Sequence, residues 1–411
     1  MKQFLQEAKE ASSVVAALSG TQKKKVLNDM ADALLLNSSR IEEENKKDIK
    51  AAKESKLTAA LMDRLLLTEA RIADMAQAIR EIAILKEPTG KIIEGWTTDT
   101  GLNIQKISVP IGVIGIIYES RPNVTSDTAA LCLKSGNVCI LKGGKEAQHS
   151  NTIIATILQE ALVKNDLPKS IVSLLPDSSR EGVANFIKQD KYVDLIIPRG
   201  GHGLISYVSS NASVPVIKHD KGLCHTYIHK DADIQKALDV SINAKCRRAG
   251  ICGAMETLLV DENIAPSILP QLKIAYATNE TELRGCTKTQ KIIDVIEATE
   301  EDYATEYLAN ILSIKIVSDL DDAITHIRKY GSSHSDAIIT ENYTDAETFM
   351  NSIDSACVYL NASTQFTDGG QFGFGAEVGI STNKIHARGP MGIEGLTTYK
   401  FKIYGKGNTR A

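Results

Sequence analysis

Residues 113–142 read VIGIIYESRPNVTSDTAALCLKSGNVCILK. An apolar run from Val113 to Tyr118 opens the stretch, and a second run from Val138 to Leu141 closes it. The residues between them end in Ser135-Gly136-Asn137, which is typical of the left-handed stop of a helix. A strand, a helix and a second strand in this order predict a parallel βαβ unit.

The same alternation continues further along the chain. Short apolar runs lie at Val172 to Leu175, Val193 to Ile197 and Val214 to Ile217. Together with the first two runs they predict a doubly wound sheet of about five strands. A second series of strand and helix patterns, from Cys224 to about Leu360, predicts a second α/β domain. Ligands of such sheets lie beyond the carboxyl ends of the strands, so the loops at those ends are the first candidates for a site.

Two segments do not follow the βαβ pattern. Between Thr21 and about Leu85, apolar residues recur at helical spacing, which predicts core-facing helices. Residues 91–109 carry the turn Asp99-Thr100-Gly101 between β-prone flanks, which predicts a hairpin that projects between domains or subunits. We expect the C-terminal tail to return to this hairpin or to a neighbouring subunit.

The composition excludes several classes of function. The 411 residues include 47 basic and 51 acidic side chains, a net charge of −4, so no overall positive field favours binding to nucleic acid or to an anionic membrane. The seven cysteines form no CxxC pair and show no zinc-ligand spacing, so we expect free thiols in a reducing compartment and predict no metal site. The N-terminal residues mix charged with apolar side chains, unlike a signal peptide, and the expected location is the cytoplasm.

Cys252 is the candidate nucleophile. It lies in the segment Arg247-Arg248-Ala249-Gly250-Ile251-Cys252-Gly253, where it follows a glycine turn and has two arginines close in sequence. Cationic neighbours or a helix N-terminus can lower the pKa of a free thiol from about 8.5 into the neutral range. From local context alone, the alternative is a small buried apolar residue, which is the commoner fate of a free cysteine.

Lys142 and the turn Gly200-Gly201 are candidate cofactor contacts. Lys142 directly follows the predicted strand from Val138 to Leu141, so we expect its ammonium group at the ligand edge of the sheet, where it can hold ribose hydroxyls or a phosphate. Gly200 and Gly201 lie between a predicted strand and a predicted helix, where backbone N–H groups can approach a phosphate. The turn does not form a GxGxxG fingerprint, and a tight structural turn is the alternative.

Asn123 lies in the loop after the first parallel strand. Its side-chain amide can donate to an oxygen that carries developing negative charge, an interaction that typically lowers a barrier by about 3 kcal/mol. The alternative is that Asn123 caps a helix starting near Thr125.

Two histidines are also candidates, and two common classes of hydrolase are excluded. His326 and His334 could bind an acidic substrate or form hydrogen bonds inside a turn, and their local sequence does not decide between the two. No GxSxG elbow or HExxH helix occurs in the chain, which argues against a serine hydrolase or a zinc protease.

Taken in chain order, several segments resemble the γ-glutamyl phosphate reductases, a family within the aldehyde dehydrogenase superfamily. The longest is residues 317–338, VSDLDDAITHIRKYGSSHSDAI, which is similar to that family's signature. Shorter similar segments occur in the same order at residues 118–124 (YESRPNV), 197–201 (IPRGG), 216–219 (VIKH) and 252–259 (CGAMETLL).

The resemblance implies an aldehyde dehydrogenase-like α/β fold with a Rossmann-like cofactor domain, and an oxidoreductase activity. The implied reaction is the reduction of γ-glutamyl 5-phosphate to glutamate 5-semialdehyde and phosphate, through a cysteine thioester, in proline biosynthesis. NADPH is the implied cofactor. The resemblance further implies that Cys252 accepts the acyl group and that Asn123 donates to the oxyanion. Lys142 would contact a ribose or phosphate of the cofactor, and Glu306 a ribose.

The resemblance also implies roles for the predicted domains. Residues 1–90 and 109–222 would form the cofactor-binding domain, and residues 223–360 the catalytic domain. Residues 91–108 and 376–411 would supply a hairpin and a tail for assembly into a homo-oligomer. Because the chain is too short to contain its own kinase, the acyl phosphate is expected from a separate glutamate 5-kinase, a transient partner.

One departure from the wider superfamily bears on the chemistry. Members that oxidise aldehydes to acids keep a glutamate that activates water, whereas the corresponding stretch here looks like His219-Asp220-Lys221-Gly222. A reductase that releases phosphate needs no hydrolytic water, so the loss of that glutamate suits the implied reaction. Arg121, Arg248 and His334 are the candidate contacts for the carboxylate or phosphate of the substrate.

Two alternatives stay open. An aldehyde dehydrogenase or an acyl-thioester reductase with another acyl group would use the same nucleophile, and the missing glutamate disfavours the acid-forming enzyme. A non-catalytic nucleotide-binding protein would keep the fold without the reaction, and the intact segment around Cys252 disfavours it.

Overall fold

The computed structural model describes residues 1–119, 121–218 and 221–410, with the backbone alone at Ala60 and His202. The described residues divide into two compact units. The first unit comprises residues 1–218, 373–379 and 391–410, and the second comprises residues 221–372 and 380–390. The predicted hairpin region therefore groups with the first unit, and part of the predicted tail groups with the second.

Five helices begin the first unit, as the helical spacing of apolar residues predicts over most of this region. Hydroxyl caps fix three of their starts: Ser19 forms a capping box with Gln22, and the side chains of Thr58 and Thr68 accept from backbone N–H groups three residues on. Their buried faces are mainly apolar, with Lys23 of α2 and Asn45 and Asp48 of α3 as buried polar residues. The helices are α1 (Lys2–Ala16), α2 (Gly20–Leu36), α3 (Ser38–Glu54), α4 (Ala59–Leu65) and α5 (Glu69–Ile84).

A three-stranded antiparallel sheet contains the predicted hairpin. Strands β1 (Ile92–Thr97) and β2 (Asn103–Pro110) form the hairpin, and Gly101 in its turn has a φ of +80°, which favours glycine. The tail returns to it, because the C-terminal strand Thr397–Tyr404 pairs with β2 along its whole length.

A four-stranded parallel sheet forms the centre of the first unit. Its strands are β3 (Val113–Tyr118), β4 (Val138–Lys142), β5 (Val172–Leu174) and β6 (Leu195–Arg199), in the order β5-β4-β3-β6. The connecting helices are α6 (Asn123–Lys134), α7 (Gln148–Lys164) and α8 (Arg180–Phe186), and α9 (His202–Asn211) follows β6. The βαβ unit predicted from residues 113–142 is confirmed.

The prediction of a fifth strand in this sheet is wrong. Residues 214–217 make a single parallel bridge, between Val216 and Ile196, in place of a full ladder. Pro215 offers a carbonyl oxygen to the Ile196 N–H but has no N–H of its own, so the segment cannot pair as a regular strand.

The second unit contains a seven-stranded parallel sheet. Its core lies between this sheet and helices such as α11 (Ala265–Thr278), where Leu258, Leu272 and Ile314 are fully buried. The strands, in the order β10-β9-β11-β8-β7-β12-β13, are β7 (Cys224–Ile228), β8 (Met255–Asp261), β9 (Glu282–Gly285), β10 (Ile296–Glu297), β11 (Ile311–Val317), β12 (Ser335–Ile339) and β13 (Cys357–Leu360). The helices are α10 (Ile234–Cys246), α11 (Ala265–Thr278), α12 (Thr287–Gln290), α13 (Leu320–Tyr330) and α14 (Tyr343–Ser352).

Three short strands complete the architecture. Strands β14 (Gly379–Ser381) and β15 (Gly389–Met391) form a two-stranded sheet, and β16 is the C-terminal strand Thr397–Tyr404 described above. Within the described part of the chain, every helix is too short or too polar to cross a membrane.

Candidate active site

Four of the predicted site residues lie at one edge of the four-stranded sheet. Asn123 follows β3, Lys142 ends β4, and Gly200 and Gly201 follow β6. Because β4 and β6 both pair with β3, the carboxyl ends of these strands are neighbours. The first unit therefore places these residues where parallel sheets bind ligands.

Asn123 is the first residue of α6 and is exposed. Its Nδ2 donates to Oδ2 of Asp127 at 3.0 Å, and its backbone carbonyl accepts from the Ser126 hydroxyl at 2.9 Å. The helix has no side-chain cap at this end, where Pro122 occupies the cap position. The alternative role of Asn123 as a helix cap is therefore wrong.

Asp127 is a candidate site residue that the sequence analysis missed. Burial raises the pKa of Asp127 to about 6, although the amide of Asn123, the positive charge of Arg199 and the hydroxyl of Ser126 all act to lower that pKa. The carboxyl group is therefore ionised at neutral pH. Its spacing of four residues from Asn123 on a helix was the available signal.

Lys142 is half-buried at the end of β4. Burial lowers the pKa of Lys142, and the positive charge of Lys145 adds to this effect, while Glu146 and Glu119 oppose it. A partly desolvated ammonium group beside a second lysine is stabilised by an anion, so the position suits a phosphate group.

The Gly200-Gly201 turn already holds a carboxylate. The N–H of Gly201 donates to Oε2 of Glu119 at 3.0 Å, and a Cβ added to Gly200 would lie 2.6 Å from Cδ of Glu119. The turn has no side chains so that Glu119 can pack against it. A phosphate could use the Gly201 N–H only after replacing this carboxylate, a requirement that the sequence did not reveal.

Cys252 lies half-buried in the loop between α10 and β8 of the second unit. Its backbone is packed against Gly222: a Cβ added there would lie 2.6 Å from Cα of Cys252 and nearer still to its carbonyl oxygen. The N–H of Gly222 donates to Oε1 of Glu306 at 2.8 Å. The second unit therefore brings Cys252 and Glu306 together through one glycine.

A buried thiol also holds the Cys252 backbone. Sγ of Cys224 lies 3.1 Å from the Cys252 carbonyl oxygen, and burial raises the pKa of Cys224 well above its usual value, so this thiol is neutral and can donate. Nδ1 of His334 lies 3.6 Å from the same sulfur and 2.9 Å from Oγ of Ser335. His334 is fully buried, in the interior behind the nucleophile loop.

The segment that resembles a family signature forms hydrogen bonds with the residues at the start of β7. Oγ of Ser332 accepts from the N–H of Leu223 at 3.0 Å, and Oδ1 of Asp336 accepts from the N–H of His225 at 3.0 Å. These bonds fix residues 223–225, which include the thiol that holds Cys252. Residues 332–336 therefore hold the part of β7 that contacts the backbone of Cys252.

His326 does not offer a positive charge to a substrate. It is buried, and burial, His225, Lys315 and Lys329 together lower its pKa to about 2, so the ring is neutral. Its Nδ1 lies 3.2 Å from Nζ of Lys315. Of the two readings of this histidine, the structure favours the one in which it forms interior hydrogen bonds.

The side chain of Gln365 forms hydrogen bonds with residues that precede Cys252 in the chain. Its Nε2 donates to the carbonyl oxygens of Ala244, at 2.9 Å, and Arg248, at 3.2 Å, and its Oε1 accepts from Arg247 at 3.3 Å. The side chain of Arg248 is exposed, as is that of Arg121 in the first unit. Both arginines therefore remain accessible to a charged substrate group.

A buried ion pair supports the segment that carries Glu306. Nζ of Lys245 lies 2.5 Å from Oε2 of Glu256, and both side chains are almost completely buried. Oε1 of Glu256 accepts from the N–H of Leu308, whose φ is +51°. Burial raises the pKa of Glu256 to about 7, and the charge of Lys245 opposes that rise. The pair thus links α10 and β8 to the loop of Glu306.

Comparisons with known proteins identify the family of this chain. The model of the aldehyde dehydrogenase family matches residues 1–282. A γ-glutamyl phosphate reductase of Sulfurimonas denitrificans is 65% identical over 410 residues, and one of Nautilia profundicola is 63% identical over 410 residues, each match covering 100% of both chains. The crystal structure of a γ-glutamyl phosphate reductase from Thermotoga maritima has a TM-score of 0.98 at 46% identity and covers 100% of this chain and 99% of that one.

The chain belongs to the γ-glutamyl phosphate reductases of the aldehyde dehydrogenase family. The family and the fold class predicted from the sequence are confirmed. Membership also supports a nicotinamide nucleotide as the cofactor. The roles of individual residues remain predictions, and His219 and Asp220, where this reductase departs from the wider superfamily, lie outside the described residues.

A first prediction follows from the close contact between Gly222 and the backbone of Cys252. Gly222→Ala should lower turnover by about 100-fold or more, because the new Cβ forces the Cys252 backbone to move by a distance that misplaces the thiol. Steady-state rates and the rate of Cys252 alkylation by iodoacetamide measure the effect.

Gly250→Ala is the matched control for this substitution. A Cβ there would make an ordinary contact of 3.7 Å with the Leu308 carbonyl oxygen, so we expect turnover within about threefold of the unmodified enzyme. Equal activity of the two variants would contradict the role given to Gly222.

The buried ion pair generates a second prediction. Glu256→Gln leaves the Lys245 ammonium group buried without its counter-charge, and at pH 8 it should lower the free energy of unfolding by about 3–5 kcal/mol. The exposed pair of Glu262 and Lys288 is the control, and Glu262→Gln should cost less than about 1 kcal/mol. Denaturant titrations of the two variants check this, and similar losses would refute it.

Proposed function

We propose that this chain reduces γ-glutamyl 5-phosphate to glutamate 5-semialdehyde and phosphate, with NADPH as hydride donor and a thioester on Cys252 as intermediate. The proposal places the enzyme in proline biosynthesis and in the cytoplasm. The observation that carries it is the support of Cys252 by Gly222 and Cys224, in a chain that is 65% identical over its full length to a γ-glutamyl phosphate reductase.

The first step is nucleophilic. The Cys252 thiolate attacks the acyl carbon, and the carbonyl electrons move onto oxygen. The amide of Asn123 and the backbone N–H of Cys252 are the proposed donors to that oxyanion. When the carbonyl re-forms, the bond to the phosphate oxygen breaks, inorganic phosphate leaves, and the acyl group remains on sulfur.

Lys142, Glu306, Gly200 and Gly201 are the proposed cofactor contacts. Lys142 is the proposed contact for a ribose or a phosphate, and Lys145 next to it favours the extra phosphate of NADPH over NADH. Glu306 is the proposed ribose contact, and Gly200 and Gly201 offer backbone that an anion could approach once Glu119 moves. The nicotinamide, when bound, supplies the hydride that reduces the thioester to the aldehyde.

The substrate contacts follow from exposure and charge. Arg121 and Arg248 carry exposed guanidinium groups and are the proposed partners of the substrate's carboxylate and phosphate. His334 is fully buried beside Cys224, so we propose that it supports the nucleophile loop and does not touch the substrate. We further propose that a separate glutamate 5-kinase supplies the acyl phosphate.

The nucleophile is tested by the reverse reaction, in which glutamate 5-semialdehyde, phosphate and NADP⁺ form acyl phosphate and NADPH. Cys252→Ala should lower this rate by at least about 10⁴-fold, because no other group can form the thioester. Turnover that survives the substitution, or the formation of free glutamate without phosphate, would contradict the proposal.

Cys286 provides the matched control. It is a second half-buried thiol; burial raises its pKa, but hydrogen bonds from the Thr289 side chain and from backbone N–H groups outweigh burial, so the net pKa is lowered. Cys286→Ala should leave the rate within about twofold, because a low pKa without the loop of Cys252 gives no catalysis.

We also propose that the chain forms a homo-oligomer through the sheet β1-β2-β16. Every residue of β1, and all but the first of β16, is exposed, so neither face of these strands is covered within the chain. Trp96 and Tyr399 both contact the Phe401 ring, which makes an exposed aromatic cluster of the kind that marks protein interfaces.

Sedimentation velocity tests the assembly. Phe401→Glu should lower the measured mass at least twofold toward that of the 44.6 kDa chain, because it buries a charge in the interface. Ile274→Glu, on an exposed site of α11, should leave the mass unchanged. A monomeric unmodified enzyme would overturn the proposal.

A further inference from the structure

We propose that Asp127 is a positioning residue, which fixes the side-chain amide of Asn123 so that one of its N–H groups is held ready for an oxyanion. The inference rests on the proposed function, because it takes Asn123 as the oxyanion donor. In this proposal Asp127 does not touch the substrate and acts through Asn123.

The geometry of α6 sets the contact. Asn123 and Asp127 lie four residues apart, so their side chains occupy the same face of the helix. Nδ2 of Asn123 donates to Oδ2 of Asp127 at 3.0 Å, while Oδ1 of Asp127 lies 3.4 Å from the Ser126 hydroxyl. Both carboxylate oxygens are therefore oriented by neighbours on the same helix.

The chemistry of the pair selects one orientation of the amide. An ionised carboxylate only accepts hydrogen bonds, so it must face the NH₂ group of Asn123 and not its carbonyl oxygen. One N–H is used in this contact, and the second N–H of the same nitrogen points elsewhere. A free asparagine could turn its carbonyl oxygen toward the oxyanion, where it would repel the developing charge.

The location of the carboxylate favours a functional role over a purely structural one. Asp127 is half-buried, and burial disfavours its ionised form, so the pair does not represent a low-cost surface contact. Arg199, at the end of β6, provides the opposing positive charge. Both lie at the sheet edge that carries Lys142 and the Gly200-Gly201 turn.

A second asparagine–aspartate pair in the same unit provides a control. Nδ2 of Asn165 donates to Oδ2 of Asp29 at 2.9 Å. Asn165 follows the C-terminal end of α7, away from the carboxyl ends of the strands. Asp29→Asn therefore removes the same kind of contact without touching the proposed site.

A double-mutant cycle tests the inference. Asp127→Asn keeps the shape but can present either oxygen or nitrogen to Asn123, so we expect kcat to fall about tenfold or more with KM nearly unchanged, as expected for an interaction made in the transition state. In an Asn123→Ala background, Asp127→Asn should change kcat less than about twofold, because its partner is gone. Asp127→Ala should repeat both results, and Asp29→Asn should leave kcat within about twofold.

A measurement without an oxyanion separates positioning from damage to the fold. Alkylation of Cys252 by iodoacetamide displaces iodide at a saturated carbon, so its rate should be the same in Asp127→Asn and in the unmodified enzyme. Slowed alkylation, an unchanged kcat, or losses that simply add in the cycle would each overturn the inference. If Asn123→Ala alone had no effect, the oxyanion assignment in the proposed function would fall, and the role of Asp127 with it.

Discussion

The contact between the backbone of Cys252 and the start of β7 is the interaction on which the proposed chemistry depends. Gly222 packs so closely on the backbone of Cys252 that no side chain fits there, and Cys224 donates its thiol hydrogen to the Cys252 carbonyl. A cysteine in a turn would otherwise sample many orientations. These contacts hold the loop of Cys252 against the start of β7, a strand inside the seven-stranded sheet.

Further hydrogen bonds and one ion pair support this contact. Glu306 accepts from Gly222, and the buried pair of Lys245 and Glu256 holds the segment that carries Glu306. Ser332 and Asp336, in the segment that resembles a family signature, accept hydrogen bonds from the backbone at the start of β7. Residues 334–338 of this segment are buried, and the hydrogen bond of Asp336 helps to hold the start of β7, which contacts Cys252.

The sequence predicted those features that depend on neighbouring residues. The βαβ unit at residues 113–142 is confirmed because apolar runs, a helix stop and strand length are all local signals. Residues 214–217 look equally apolar, yet Pro215 limits them to one bridge. The role of Cys252 as nucleophile stays a prediction, which rests on the family resemblance of a segment that is continuous in the chain.

The features that could not be predicted from the sequence depend on contacts between residues that are distant in the chain. Gly222 and Cys224 lie about 30 residues before the nucleophile that they support, so no local pattern connects them. His334 has the polar side chain of a substrate contact, but it is fully buried directly before β12, with its ring next to Cys224 and Ser335. The occupation of the Gly201 N–H by Glu119 could likewise be seen only once the loops after β3 and β6 were placed together.

Mass spectrometry of the acylated enzyme tests the central claim most directly. With glutamate 5-semialdehyde and NADP⁺ supplied and phosphate withheld, the acyl group should accumulate on the peptide that contains Cys252 and should be released by hydroxylamine, as a thioester is. Addition of phosphate should clear the adduct. NADPH formation with no adduct on Cys252, or with the adduct on another cysteine, would contradict the account.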